Sequence, residues 1–218
     1  VYKISVCLFI HRKPRIRRYT IDVVPMNTHI EREIKLRYTT CNEARLAVDG
    51  LEGSPLRDRR LQDDYVLDLP NGELQHQGCA LRVRIEKSDR ADKSIYETTT
   101  VTFKGPPLPD VMKVREELET TIGNGELFLR ILVKAGWNVW FRYQKYREEF
   151  KRDDVVIAID ETPVGAFVEL EGNELTIRSL ASALGRTTDD YIIGSYRQLY
   201  VEHCINTNKP IENMVFSS

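Results

Sequence analysis

Residues 29–37 are His29-Ile30-Glu31-Arg32-Glu33-Ile34-Lys35-Leu36-Arg37. Residues two apart in a strand share a face. An extended chain here puts Glu31, Glu33, Lys35 and Arg37 on one side and Ile30, Ile34 and Leu36 on the other, with Arg32 the single intruder. One such strand alone is an ordinary solvated sheet face with an apolar back. A special role requires the same chemistry on other strands.

That chemistry returns. Residues 81–87 set Arg82, Arg84 and Glu86 against Leu81, Val83 and Ile85, and residues 98–104 set Thr98, Thr100, Thr102 and Lys104 against Val101 and Phe103. Residues 113–121 place Lys113, Arg115, Glu117 and Glu119 together, and residues 140–150 do so for Lys145, Arg147 and Glu149. Residues 155–161 are mostly Val and Ile around Asp160, and residues 165–171 end in Glu169-Leu170-Glu171. A further strand is expected over residues 56–69, followed by a hairpin-like reversal at Pro70-Asn71-Gly72.

Between these strands lie helix signals. Thr40-Cys41-Asn42-Glu43 is a capping-box pattern ahead of Ala44, Leu46, Ala47 and Leu51. Leu127, Phe128, Ile131 and Leu132 follow helical spacing before Gly136, and Asn173 caps a helix running to Leu184. A last helix is expected over residues 189–204, with an irregular tail from residue 206 to 218. No repeat or low-complexity segment divides the chain, so residues 26–205 read as one domain.

Residues 1–25 read differently. Arg12-Lys13-Pro14-Arg15-Ile16-Arg17-Arg18 is a basic run of the kind found in disordered extensions, and Met26 reads as the native start. The formal net charge of −1 argues against a nucleic-acid binder held by excess positive charge. Cys7, Cys41, Cys79 and Cys204 are scattered, as expected of reduced thiols in the cytoplasm. His76 and Cys79 have metal-like spacing, but no second pair joins them. No apolar run approaches the length of about 18 residues that a membrane span needs.

The polar faces sum to acids Glu31, Glu33, Glu86, Glu117, Glu119, Asp160, Glu169 and Glu171, and bases Lys35, Arg37, Arg82, Arg84, Lys104, Arg115, Lys145 and Arg147. A sheet with one such face is either half-solvated or curled with its charges inward and helices outside. Guanidinium forks match phosphate oxygens, and carboxylates near a polyanion need a hard divalent cation between them. Phosphate plus metal accounts for both signs.

At this point the motifs carry a resemblance. Glu31-Arg32-Glu33-Ile34-Lys35 resembles the Glu-x-Glu-x-Lys signature of the CYTH family, the triphosphate tunnel metalloenzymes, which include class IV adenylate cyclases, thiamine triphosphatases and inorganic triphosphatases. Leu81-Arg82-Val83-Arg84 is similar to that family's double-arginine strand, Phe103-Lys104-Gly105-Pro106 to its lysine strand, and Arg115-Glu116-Glu117 to its arginine-glutamate strand. Lys145-Tyr146-Arg147-Glu148, Asp160, Val168-Glu169-Leu170-Glu171 and Ser195-Tyr196 continue the match in order. Asp68-Leu69-Pro70 departs from the Asp-Thr-Pro of many relatives.

The resemblance implies an α+β fold: a closed eight-stranded antiparallel β-barrel whose charged interior forms a tunnel, with helices outside and Mg²⁺ or Mn²⁺ and a triphosphate within. It implies metal ligation by Glu31, Glu33, Glu169 and Glu171, with Asp160 and Glu119 as further ligand or supporting carboxylates. Lys35, Arg82, Arg84, Lys104, Arg115, Lys145 and Arg147 would bind the triphosphate, and Glu31, Glu33 and Lys35 form the expected catalytic group. Glu86, Glu149 and Lys113 read instead as charge-balancing pairs. The expected reaction is hydrolysis of an inorganic or organic triphosphate. Cyclisation of ATP to cAMP is the alternative on the same scaffold, and a non-catalytic polyphosphate module is the third. A small-molecule triphosphate is the expected partner, with no nucleic acid or membrane, and a homodimer stays open.

Overall fold

The period-two alternation closes into a ring. A computed structural model describes residues 2–6, 19–23, 29–89 and 95–217. Strands β1 (Tyr2–Val6) and β2 (Tyr19–Val23) pair with each other as a two-stranded ribbon. The basic run, Met26 and Cys7 lie outside the described residues. The barrel is built from β3 (His29–Tyr38), β4 (Ser54–Asp68), β5 (Ala80–Asp89), β6 (Ile95–Lys104), β7 (Lys113–Ile122), β8 (Asn138–Arg152), β9 (Val155–Thr162) and β10 (Gly165–Glu171). Their order is β10–β3–β7–β6–β5–β4–β8–β9, with every pairing antiparallel, and β9 returns to β10.

Register carries the parity from strand to strand. Glu33 stands opposite Glu171 and Lys35 opposite Glu169, while Glu31 faces Arg115. Asp64 faces Arg84 on one side of β4, and Asp160 faces Arg147 between β9 and β8. In a closed ring, a one-residue slip of any strand would turn its charges out and its apolar side chains in.

The apolar faces point outward and are covered by helices. Ile34 and Leu36 of β3, Ile157 and Ile159 of β9, and Val168 and Leu170 of β10 pack under Ala44 and Val48 of α1 (Cys41–Asp49). The short helix α2 (Glu73–His76) follows the turn at residues 70–72, and α3 (Gly125–Lys134) lays Leu129 on Leu67, Val83 and Ile85. Ile177, Leu180 and Ala181 of α4 (Glu174–Ala183) complete the first cluster. Arg32, the intruder on the apolar face, is accommodated at the rim between Asp110 at 3.9 Å and Glu174 at 3.8 Å. Ile30 is half-exposed at the start of β3, outside that cluster.

One expectation is corrected near the C-terminus. The last helix, α5 (Tyr196–Thr207), begins later than expected, because residues 188–190 form a single 3₁₀ turn and Ile192 pairs with Lys35 beside β3. Ser195 and Gln198 then form a capping box that starts α5. The tail past α5 is irregular apart from one bridge: Met214 pairs with Tyr143, exchanging backbone hydrogen bonds with Arg142 and Gln144 at 3.0 and 2.8 Å. The Asp68-Leu69-Pro70 departure leaves the turn intact. Asp68 accepts backbone N–H bonds from Leu69, Leu74 and Gln75 at 2.7, 2.9 and 3.0 Å, and Leu69 itself is exposed.

Candidate active site

The inward faces enclose a cavity of about 230 Å³. Its wall takes Glu31, Glu33 and Lys35 from β3, Arg82 and Arg84 from β5, Lys104 from β6, and Arg115 and Glu119 from β7. Lys145 and Arg147 of β8 and Glu169 and Glu171 of β10 complete the expected set, except for Asp160, which is fully buried behind the wall.

Within this set, Glu31, Glu33 and Glu171 each bring a carboxylate oxygen within 4.8 Å of the others. Burial, and then the charges of Glu31 and Glu33, push the Glu171 carboxyl up to about 7. Burial would also raise Glu33, but Lys113 and Lys35 prevail and hold it well below the usual carboxylate range; each ammonium lies 2.7 Å from its Oε1. Three clustered hard oxygen donors fit Mg²⁺ or Mn²⁺, whose charge would remove the repulsion now borne by Glu171. Glu169, Asp160 and Glu119 stand apart from this trio. Glu119, more exposed, accepts from the Thr102 hydroxyl at 2.7 Å.

The bases occupy the same cavity and are tethered by carboxylates of their own. Lys104 lies 2.6 Å from both Glu31 and Glu117, and Arg115 donates to Glu31 at 3.2 Å. Glu169 accepts from Arg147 Nη2 at 2.5 Å and lies 3.4 Å from Lys35. Asp160 accepts from Lys145 at 2.8 Å, from Arg147 Nε at 2.7 Å and from the Tyr196 hydroxyl at 2.5 Å. Burial, with Arg147 beside it, lowers Lys145 to about 8 despite these acids. Burial and the charges of Asp160 and Glu169 push the Tyr196 phenol well above its usual value, so it stays a proton donor.

The comparisons with known proteins now bear on this arrangement. A CYTH domain model matches residues 29–186, which span the barrel from β3 to β10. The chain belongs to the CYTH family. It is similar to a Methanocaldococcus jannaschii protein named "putative adenylate cyclase", with 28% identity over 181 residues covering 78% of this chain and 98% of that protein. The PH1819 protein of Pyrococcus horikoshii shares the fold with a TM-score of 0.67 and 22% identity, over 79% of this chain and 99% of its own. A Hippeastrum structure, described as a "putative adenylyl cyclase" with a dominant triphosphatase activity, has a TM-score of 0.56 and 18% identity, over 83% and 97% of the two chains.

The CYTH tunnel also includes side chains that the sequence reading passed over. Lys113 was expected to balance charge, yet it is on the cavity wall, where burial lowers it to about 8 even beside Glu33. Its parity with Arg115 was the available signal. Tyr143 shares the face of Lys145 and reaches the wall, as does Tyr196 from the start of α5. The Asp63-Asp64 pair splits: Asp63 turns outward to Arg142, whose Nε is 2.8 Å away, and Asp64 turns inward to Arg84. Glu86 and Glu149 are both held by Arg60, at 3.0 and 2.6 Å, and Glu149, like Lys113, is also on the cavity wall.

Proposed function

We propose that this CYTH domain hydrolyses a triphosphate inside the barrel, with a divalent metal held by Glu31, Glu33 and Glu171. The observation that carries the reading is one cavity that combines a trio of crowded carboxylates with lysines and arginines from six strands. A pure anion binder needs the bases and gains nothing from the trio. Bound by these carboxylates, a divalent cation would supply charge neutralisation and Lewis acidity.

The chain's own residues do the rest. Lys35, Arg82, Arg84, Lys104, Arg115, Lys145 and Arg147 bind the phosphate oxygens and hold the chain of phosphorus atoms in line. Water forms a bond to the terminal phosphorus as the bond to the bridging oxygen breaks, giving phosphate and a shortened polyphosphate; the basic side chains offset the negative charge gathered there. Asp160 and Glu169 orient Lys145 and Arg147, and the family resemblance of Asp160 is met by that role without metal contact. The Hippeastrum protein's triphosphatase activity supports hydrolysis.

Cyclisation of ATP is the second reading, and one observation favours it besides the name of the archaeal relative. A cavity of about 530 Å³ beside the tunnel has Leu108, Met112, Trp140 and Ile193 on its walls and shares Lys113, Arg115 and Ser195 with the tunnel. It is a seat of the size and character an adenosine requires. Incubation with inorganic tripolyphosphate, ATP or thiamine triphosphate, with Mg²⁺ or Mn²⁺, separates the readings. Free phosphate is the expected product; cAMP with pyrophosphate would overturn hydrolysis, and binding without turnover would leave a non-catalytic module.

A further inference from the structure

Asp64 is fully buried and directly opposite Arg84 in the β4–β5 register. Its Oδ1 accepts from Arg84 Nε at 2.8 Å and lies 3.5 Å from Arg82 Nε. Both arginines wall the tunnel cavity, but among the described residues Asp64 is not on that wall. Arg84 is thus held by a hydrogen bond at Nε, its rear corner, which leaves its Nη groups as the part available to phosphate, whereas Arg82 makes no hydrogen bond to Asp64 and is drawn to it by charge alone, with Nη2 3.6 Å from Glu119. Arg82 Nη2 is further steadied by the Thr102 hydroxyl at 3.0 Å.

The need for such a residue follows from charge. Arg82 and Arg84 project from one face two residues apart, and Arg147 adds a third guanidinium that repels Arg84. An uncompensated group of this kind would splay. The strand on the other side of β4 meets the same problem in the same way: Asp160, also buried and off the wall, faces Arg147 of β8 in register and accepts from its Nε. β5 and β8, each carrying two wall bases, therefore each have one buried aspartate on a strand beside them, Asp64 of β4 and Asp160 of β9.

We propose that Asp64 is a positioning residue for the tunnel chemistry: it fixes the double arginine of β5 from behind, so that both forks meet the phosphate oxygens together, and it never touches substrate. The proposal rests on the triphosphate reading. It also gives a sign that charge counting does not. Removing a negative charge should strengthen binding of a polyanion, whereas loss of aim should slow turnover.

The test uses Asp64→Asn with inorganic tripolyphosphate and Mg²⁺. Turnover should fall roughly 10–100-fold, the scale for losing a supporting hydrogen bond behind a functional group. KM should change little, and tripolyphosphate binding without metal should hold or tighten. In an Arg82→Ala/Arg84→Ala background, Asp64→Asn should cost nothing further. An equal fold loss in both backgrounds, or full turnover by Asp64→Asn alone, overturns the proposal. A readout on the unaltered protein stands even if the variant does not fold. The Arg84 Nε–H should be protected from exchange and keep its NMR shift when tripolyphosphate is added, while Nη signals move; exchange as fast as that of the exposed Arg130 would refute the grip. An unaltered protein that binds no tripolyphosphate removes the triphosphate reading and this proposal with it, whereas normal turnover by Asp64→Asn removes this proposal alone.

Discussion

Glu169 and Glu171 sit two residues apart on one face of β10 and meet opposite surroundings. Glu169 is pinned by Arg147 and Lys35, whereas Glu171 faces other carboxylates. Glu171→Ala should therefore abolish metal-dependent turnover while metal-free tripolyphosphate binding persists or strengthens. Arg82→Ala should weaken that binding by about 1.5–3 kcal/mol with or without Mg²⁺. Calorimetric titration of both variants checks the division; equal loss of metal-free binding would refute it. Glu86 gives a pH prediction. Burial would raise it, but Arg60 and Arg57 hold it down to about 2. A depressed acid stabilises the fold fully above its unfolded value of about 4.3 and loses that contribution as pH falls towards 2. Melts from pH 5 to 2 should show a drop that is smaller in Glu86→Gln, already weakened at pH 5, than in the parent, the remainder coming from other depressed carboxylates such as Glu33. Spacing assigned Glu31, Glu33 and the bases to one face, but the separate fates of Asp160, Glu169 and Glu171 depend on which strand lies alongside. That information is in the register, which a single strand's sequence does not contain.

Helix α3 docks on β5 and β6 through a glycine. A Cβ on Gly125 would meet Thr99 Cγ2 at 2.8 Å and Ile85 Cγ1 at 2.9 Å, and Thr99 is itself buried. Gly125→Ala should cost about 1–3 kcal/mol through overpacking, more than the substitution returns in helix propensity; a melting temperature at or above that of the parent would contradict this docking. Met214 is fully buried against the aromatic side chains of β8 and α5. Met214→Ala should cost about 2–5 kcal/mol, measured by denaturant unfolding. Strands and early helices were legible because each has a local signal: alternation in β3, the spacing of Leu127, Phe128, Ile131 and Leu132 in α3, Asn173 as a cap, Thr40 accepting from Glu43. The start of α5 was misread because Asp189 and Asp190 suit a helix entrance, while the deciding contact, Ile192 on Lys35, joins distant segments. The Ser195-x-x-Gln198 box was the better local signal. The burial of Met214 has no local signal at all.

The molecule as a whole keeps its apolar clusters between barrel and helices and its charge inside the barrel. Ligands that neutralise the interior should then stabilise the fold. Tripolyphosphate with Mg²⁺ at a hundred times Kd should add about 2.7 kcal/mol, read as a rise in melting temperature that EDTA partly reverses. No rise with either ligand would mean that the cavity is not their site. Closure of the ring also has a consequence in time. β3 is bordered by β7 and β10, whose residues follow it in the chain. At about 5–20 residues per second, β10 leaves the ribosome roughly 7–25 s after β3. Throughout that interval β3 is an open edge in the nascent chain. Its Glu31, Glu33 and Lys35, later the floor of the tunnel, then serve as the charges that deter a neighbouring chain from pairing with it.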